Sequence, residues 1–164
     1  MTQYEIERKF LIAYPDMQLL SQKAVRRLEI LQTYLTAGEG ENRRVRRITE
    51  NGRITYIKTE KKHISDMKRL ETEAEISEEE YSRLLREADS DRRPIEKVRW
   101  CVPYRDHVLE IDVFPFWQDK AFLEVELSCE TEEVQLPPFL TVLREVTNDK
   151  RYTNAAMAKA LPEE

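Results

Sequence analysis

The sequence predicts an α+β chain in which antiparallel strands form either an open sheet or a closed barrel. Roughly eight strand-like segments follow one another, and few helical segments interrupt them. The dipeptide Asn51-Gly52 lies between two of these segments, and Asn-Gly is a strong signal for a hairpin of antiparallel strands. With 164 residues, the chain is expected to form a single domain over residues 1–164.

The first half of the chain is predicted to contain one helix among strands. Residues 4–12 alternate with the period of a strand. Pro15 suits a first helical turn, and Met17, Leu20 and Ala24 recur at helical spacing, so a helix is expected over residues 15–24. The next predicted strands are residues 28–35, 43–48, 54–61 and 68–76, with a glycine-containing loop at 38–40.

The second half begins with a helix signal. Ser77 and Glu80 form a capping box, which predicts a helix that continues to about residue 89. Further strands are predicted at residues 95–102, 108–114 and 121–127, and a C-terminal helix at 154–161.

Composition excludes several classes of function. Charged residues make up 36% of the chain, above the roughly 25% of an ordinary globular protein. The formal net charge is −5, so no nucleic-acid surface is expected. No apolar run approaches the roughly 18 residues of a membrane helix, so no membrane span is expected. Cys101 and Cys129 lack the spacing of a zinc site, which indicates reduced thiols in the cytoplasm.

Charged residues recur on one face of nearly every predicted strand. Residues two apart share a face, so Glu5, Glu7 and Lys9 form one row. The other rows are Arg44 and Arg46; Arg69, Glu71, Glu73 and Glu75; Lys97 and Arg99; Glu110 and Asp112; and Glu124 and Glu126. A single antiparallel sheet commonly turns such a face to water. Here the rows are almost purely charged and their signs are segregated by strand, which favours the interior of a closed barrel.

A charged interior would require ligands, because burying an unpaired charge costs several kcal/mol. Two like charges about 4 Å apart repel each other by about 4 kcal/mol at an effective dielectric constant of about 20. The acidic rows would therefore require a divalent cation, and the basic rows would require a polyanion. Phosphoryl chemistry uses this combination, and ligands that are all oxygen favour Mg²⁺ or Mn²⁺ over zinc.

An ordered series of motifs resembles the CYTH, or triphosphate tunnel metalloenzyme, superfamily. The motifs are Glu5-Ile6-Glu7-Arg8-Lys9 for ExExK, Arg44-Val45-Arg46 for RxR, Arg69-Leu70-Glu71-Thr72-Glu73 for RxExE, Lys97-Val98-Arg99 for KxR, Glu110-Ile111-Asp112-Val113-Phe114 for ExDxF, Glu124-Val125-Glu126-Leu127 for ExEL, and residues 145–154 for EVTxDxRYxN. A lone ExExK would be a weak signal. Seven motifs that occur in the expected order along the chain are a specific one.

The resemblance implies an eight-stranded antiparallel β-barrel with a few peripheral helices, whose tunnel binds a triphosphate-containing small molecule and Mg²⁺ or Mn²⁺. It implies a catalytic set of Glu5, Glu7, Lys9 and Glu126, and metal ligands Glu5, Glu7, Glu124 and Glu126. The implied substrate-binding residues are Lys9, Arg44, Arg46, Lys58 or Lys61, Arg69, Lys97 and Arg99. The implied supporting residues, which hold water, a second metal or the basic side chains, are Glu71, Glu73, Glu110 and Asp112.

Two lysines compete for one position in the implied site. Thr59-Glu60-Lys61 fits the TxK pattern of the family, and Lys58 fits the usual distance from Arg46 equally well. They are an odd number of residues apart, so a regular strand cannot turn both to the same face. We expect Lys61 to face the tunnel, with a bulge if both lysines do.

Three functions are compatible with these features. The first is metal-dependent hydrolysis of inorganic tripolyphosphate or a nucleoside triphosphate, which releases orthophosphate. The second is a class IV-type adenylate cyclase, which would form cyclic AMP and pyrophosphate, and the third is a polyphosphate- or nucleotide-binding module without turnover. Phe116 and Trp117 are expected either to cover the barrel mouth or to form the contact of a homodimer.

Overall fold

The computed structural model describes residues 1–163 and contains a closed, eight-stranded antiparallel β-barrel. Around the barrel the strands follow the order β1-β5-β4-β3-β2-β6-β7-β8, and β8 pairs with β1 to close it. The strands are β1 Thr2–Ala13, β2 Arg26–Leu35, β3 Glu41–Glu50, β4 Arg53–His63, β5 Lys68–Ile76, β6 Ile95–Tyr104, β7 His107–Val113, β8 Lys120–Glu126 and the additional β9 Val142–Glu145. The α+β barrel prediction is confirmed, and the open sheet is excluded.

The length of β1 allows the barrel to close. Its first residues, 2–6, pair with β5, whereas residues 7–13 pair with β8 on the opposite edge. Strand β9 pairs with residues 10–12 of β1, on the edge where β5 pairs with residues 2–6. The sequence prediction missed β9, because its four residues are all exposed and show no buried alternation. Their pairing with β1 makes them a strand.

The three short α-helices are α1 Met17–Lys23, α2 Glu78–Leu84 and α3 Asn154–Met157. The predicted start of α1 at Pro15 was wrong, because the Asp16 side chain caps the helix by accepting hydrogen bonds from the N–H groups of Gln18 and Leu19. The predicted Ser77 cap of α2 is confirmed, since Ser77 Oγ accepts a hydrogen bond of 3.1 Å from the N–H group of Glu80.

Helices α2 and α3 both end before their predicted ends. After α2, residues 85–87 form a 3₁₀ turn. The carbonyl of Glu87 then accepts a hydrogen bond from the N–H group of Thr36, and the N–H group of Asp89 donates to the carbonyl of Tyr34. These backbone groups are therefore not available for the hydrogen bonds of a longer helix. Helix α3 ends at Met157 instead of reaching residue 161, and Pro162 disfavours helical geometry at the residue before it.

Apolar residues pack mainly outside the barrel wall and at one end of its interior. Leu20 of α1 packs on the outer faces of β1, β6, β7 and β8, and Tyr81 and Leu84 of α2 cover Val45. The end of the barrel is closed by a second cluster, in which inward-facing strand residues meet the C-terminal segment. Its members include Leu11, Tyr34, Ile95, Phe114, Trp117, Phe122, Tyr152 and Met157. The middle of the barrel is thereby left to the charged residues.

No α-helix within residues 1–163 is both long enough and apolar enough to cross a membrane.

Candidate active site

The register of the strands turns the charged rows toward the barrel interior. On β1, Glu5 lies opposite Arg69, while Glu7 and Lys9 lie opposite the two glutamates of β8. Residues directly opposite in an antiparallel pair share a face, and the same parity continues around the barrel. The interior contains a cavity of about 370 Å³ whose lining includes Glu5, Glu7, Lys9, Arg44, Lys61, Arg69, Lys97, Arg99, Glu110 and Glu124.

The register also separates the two competing lysines of β4. Lys61 lies opposite Asn42 and Glu71, on the inner face, and it lines the cavity. Lys58 lies opposite Val45 and Ala74, on the outer face. The pairing of β4 with both neighbours is continuous between these positions, so no bulge brings Lys58 inward. The alternative that placed Lys58 in the tunnel is therefore incompatible with the register.

On the wall formed by β1, β4 and β5, acidic and basic side chains pair with each other. Lys61 Nζ lies 2.8 Å from Glu5 Oε1 and 3.5 Å from Glu71 Oε2. Arg69 reaches Glu7 at 3.6 Å. These side chains are at most 22% exposed, so their charges are weakly screened by water.

A second group of ion pairs lies on β6, β7 and β8. Arg99 makes a bidentate contact with Asp112, with nitrogen–oxygen distances of 2.8 and 2.9 Å, and it also contacts Glu110 at 2.8 Å. Glu124 lies 3.5 Å from Lys9 and 3.7 Å from Arg99. The bidentate geometry holds the Arg99 guanidinium in a fixed orientation toward the cavity.

The remaining contacts involve Arg46, whose Nη2 lies 2.9 Å from Glu73 and 3.4 Å from Thr59 Oγ1. The four acids Glu71, Glu73, Glu110 and Asp112 thus each contact a basic side chain. In this arrangement they orient the basic rows.

Glu5 and Glu7 have opposite pKa shifts although they are two residues apart. Burial raises the pKa of Glu5, but the charge of Lys61 and hydrogen bonds from Glu71 and Lys61 outweigh it and lower the pKa to about 2. Burial, followed by the negative charges of Glu124 and Glu5, raises the pKa of Glu7 to about 8. Negative charge therefore accumulates around Glu7 beyond what the neighbouring cations balance.

Two other carboxyl groups near Glu5 also have raised pKa values. Burial, followed by a hydrogen bond with Glu5, raises the pKa of Glu71 to about 7. Burial, followed by the charge of Glu5, raises the pKa of Glu126, which lies directly opposite Glu7. A divalent cation near these groups would stabilise their ionised forms.

Two basic side chains have hydrogen-bond donors without acceptors. The Nε atoms of Arg44 and Arg46 are buried, and neither has an acceptor within residues 1–163. Burial, followed by the charge of Arg44, lowers the pKa of Arg46 to about 10. An unsatisfied buried donor costs about 1–3 kcal/mol, so an anion with several acceptor oxygens would stabilise this part of the interior.

The predicted metal ligands provide the right donor chemistry, but their side chains are not gathered into one cluster. Across residues 1–163, no three carboxylate, imidazole or thiol groups lie close enough together to hold a metal ion. Glu5 and Glu7 instead face Lys61 and Arg69. Their oxygen donors and the excess negative charge around Glu7 fit a hard divalent cation such as Mg²⁺ or Mn²⁺.

Some residues face the interior or contact site residues although the sequence prediction gave them no role in the site. Gln32 and Tyr34 share the inner face of β2, Thr59 contacts Arg46, and Asn154 contacts Lys97. The alternation of Leu28, Ile30, Gln32 and Tyr34 could have identified the first two. Thr59 and Asn154 belong to the TxK and EVTxDxRYxN motifs, but those motifs do not predict their partners, because the contacts join distant segments.

The chain is similar in sequence and fold to known proteins. Residues 3–152 match the CYTH domain family. An inorganic triphosphatase of Nitrosomonas europaea is 34% identical over 162 residues, which cover 96% of this chain and 99% of that protein. A crystal structure of an inorganic triphosphatase aligns with a TM-score of 0.57 and 29% identity, covering 97% of each chain.

A more distant structure has the same fold. A Hippeastrum protein, described as a candidate adenylyl cyclase that reveals a dominant triphosphatase activity, has a TM-score of 0.53 and 14% identity, covering 76% of this chain and 80% of its own. At this identity the likeness concerns the fold alone.

Proposed function

Because the chain belongs to the CYTH domain family, we propose that it is an enzyme that hydrolyses a triphosphate with a divalent metal and releases orthophosphate inside the barrel. The observation that carries this proposal is the pair of buried Nε–H groups of Arg44 and Arg46, which lack acceptors within the described residues. Arg44 lines the interior cavity together with Lys9, Lys61 and Arg99, and Arg46 shares the inner face of β3 with Arg44. A linear polyanion would supply acceptor oxygens to all of these groups.

The similarity to the Nitrosomonas europaea protein supports hydrolysis over binding alone. That relative is named an inorganic triphosphatase, and it aligns with nearly the whole chain. The charged rows of this chain are also complete, with both acids and bases on the inner face. Inorganic tripolyphosphate is therefore the first substrate to test.

The acidic wall would hold the metal. Family membership implies a divalent metal cofactor, and we assign Glu5, Glu7 and Glu126 as its ligands, with Glu124 as a further one. When bound, Mg²⁺ or Mn²⁺ would supply electrostatic activation of the phosphoryl group or of water. Lys61 and Arg69, which now face Glu5 and Glu7, would then be available to phosphate oxygens.

The chain's own residues would position the substrate and stabilise its charge. Lys9, Arg44, Arg46, Lys61, Arg69, Lys97 and Arg99 would bind the phosphate oxygens. Water would attack the terminal phosphorus in line with the bridging oxygen and lose a proton to solvent. The bond from phosphorus to that oxygen would break, with pyrophosphate, or the nucleoside diphosphate, as the leaving group. Cationic groups fixed in advance, such as Arg99 on Asp112, stabilise the charge that spreads over the phosphoryl oxygens without further reorganisation.

One substrate panel tests this proposal. Tripolyphosphate, ATP, GTP and thiamine triphosphate would each be incubated with Mg²⁺ or Mn²⁺, and orthophosphate, pyrophosphate and cyclic AMP would be measured. Orthophosphate release that depends on metal is the expected result. Cyclic AMP and pyrophosphate from ATP would instead identify a cyclase, and metal-dependent binding without any product would identify a binding module.

Location and assembly are secondary proposals. We propose a cytoplasmic protein without nucleic-acid or membrane partners, since Cys101 and Cys129 form no disulfide and the net charge is −5. Trp117 is buried against Phe122 and Tyr152 at the closed barrel end, whereas Phe116 is 38% exposed. Phe116 is therefore the aromatic residue that a homodimer contact would use.

A further inference from the structure

The first residue of α3 sends its side chain into the closed end of the barrel. Asn154 is 9% exposed, and its Oδ1 accepts hydrogen bonds from Gln32 Nε2 at 3.2 Å and from Lys97 Nζ at 3.4 Å. One amide oxygen thus joins the C-terminal segment to β2 and β6.

The two donors are themselves deeply buried. Gln32 is 0% exposed, and its Nε2 also donates to the hydroxyl of Tyr34 at 3.0 Å. Lys97 has a side chain that is 1% exposed, and its Nζ lies 3.0 Å from Asp112 Oδ2. Burial lowers the pKa of Lys97 to about 8, although Asp112 opposes this shift. The ammonium is therefore held between a carboxylate and an amide oxygen.

Asn154 is held firmly at this position. The preceding residue, Thr153, caps α3 by accepting a hydrogen bond of 3.1 Å from the N–H group of Ala156. On the other side of the segment, Arg92 donates to the carbonyl of Ala155 at 3.1 Å, and the N–H group of Arg93 donates to Ala158 at 2.8 Å. The amide oxygen of Asn154 therefore has little freedom to follow a side chain that moves.

The contact between Lys97 and Asn154 borders the interior cavity. Both Lys97 and Asn154 contribute to its lining, at the end that Tyr152 helps to close. If the Asn154 oxygen were removed, the Lys97 ammonium would keep its 3.0 Å contact with Asp112 but would lose the acceptor that fixes its orientation about that contact. Its distance and orientation toward the cavity would change.

We propose that Asn154 is a positioning residue for the reaction, which holds the Lys97 ammonium where it can bind a phosphate group at the closed end of the tunnel. This inference rests on the proposed function. It gives the C-terminal segment a role in substrate binding that reaches beyond closing the barrel.

The test compares Asn154→Leu with the matched control Asn148→Leu, which changes an exposed asparagine in the same segment. Tripolyphosphate affinity is measured by calorimetry in EDTA, and hydrolysis is measured with Mg²⁺. Asn154→Leu should weaken binding about tenfold, the factor expected for a lost hydrogen bond to a charged group, and the control should match the wild type. Asn154→Ala replaces the leucine variant if that variant is not folded.

A double-mutant cycle separates positioning from general destabilisation. If Asn154 acts through Lys97, the tenfold effect should disappear in a Lys97→Met background. Equal losses in both backgrounds would overturn the proposal.

Nitrogen-15 NMR of the lysine ammonium groups keeps the test independent of activity. The signal that disappears in Lys97→Met should shift or exchange faster with solvent in Asn154→Leu, and an unchanged signal would overturn the positioning role. A wild-type protein that neither binds nor hydrolyses tripolyphosphate would overturn the proposed function instead.

Discussion

Lys61 Nζ lies 2.8 Å from Glu5 Oε1, although their strands, β4 and β1, are separated by β5. Both side chains are largely buried, at 16% and 11% exposure. In the proposed reaction Glu5 binds metal and Lys61 binds phosphate. Each residue then exchanges its partner in the ion pair for a ligand, so the binding of one ligand frees the residue that binds the other. We therefore expect triphosphate and divalent metal to strengthen each other's binding.

Lys61 and Lys58 provide a matched pair for testing which face of β4 is functional. Lys61→Met should reduce kcat/KM for tripolyphosphate by roughly 10²–10³, the range found when one preorganised donor to a transition state is removed. Lys58→Met removes the same group from the outer face and should leave kcat/KM within about twofold of the wild type, as is usual for surface substitutions. Similar losses in the two variants would contradict the assignment of Lys61 to the site.

Glu7 should make the stability of the metal-free protein fall as the pH rises. Its pKa is raised from 4.5 to about 8, so the folded protein holds the Glu7 proton more tightly than the unfolded chain does. This stabilisation is complete below pH 4.5 and is lost as the pH rises to about 8. Glu7→Gln should therefore flatten the dependence of the unfolding free energy on pH in this window, as measured by urea denaturation in EDTA.

The remaining slope in that variant should come partly from Glu71, whose pKa is raised to about 7 by burial and then by its hydrogen bond with Glu5. An identical slope in the wild type and Glu7→Gln would show that Glu7 is ionised throughout this range.

Glu126 should contribute to metal binding from β8. Glu126→Gln removes a charge directly opposite Glu7 and should weaken Mn²⁺ binding by about tenfold or more, since carboxylate charge sets the affinity for hard cations. Titration calorimetry without substrate measures this effect. Glu133→Gln, which changes an exposed glutamate, is the control. Unchanged Mn²⁺ affinity in Glu126→Gln would remove Glu126 from the ligand set.

Tyr152 should be a main contributor to the stability of the closed barrel end. Its side chain is 0% exposed and makes aromatic contacts with Trp117 and Phe122. Tyr152→Ala should lower the free energy of unfolding by about 3–5 kcal/mol, as is usual for truncation of a large buried aromatic side chain. The control Tyr14→Ala changes a residue that is 40% exposed and should cost about 1 kcal/mol or less. Denaturant titration of both variants would reveal whether the C-terminal segment is as firmly packed as these contacts indicate.

The strands and their inner faces could largely be predicted, because strand parity is a local property. The alternation in Glu5-Ile6-Glu7-Arg8-Lys9 fixes which side chains share a face wherever the strand lies. The turn at Asn51 and Gly52 was predictable for the same reason, since both residues adopt the positive φ angles that a tight hairpin requires, 51° and 77°. Strand β9 and the end of α2 were not predictable, because contacts with distant strands determine them.

The sequence by itself determined the composition of each charged row and the alternation that separates it from the apolar residues. Only the tertiary structure decided how the rows meet: that Glu7 lies opposite Glu126, that Lys61 and not Lys58 faces the interior, and that Asn154 reaches Lys97. The physical reason is that parity is set by the backbone geometry of one strand, whereas register and closure depend on hydrogen bonds between strands far apart in the chain. The pKa shifts that distinguish Glu5 from Glu7 follow from those long-range contacts.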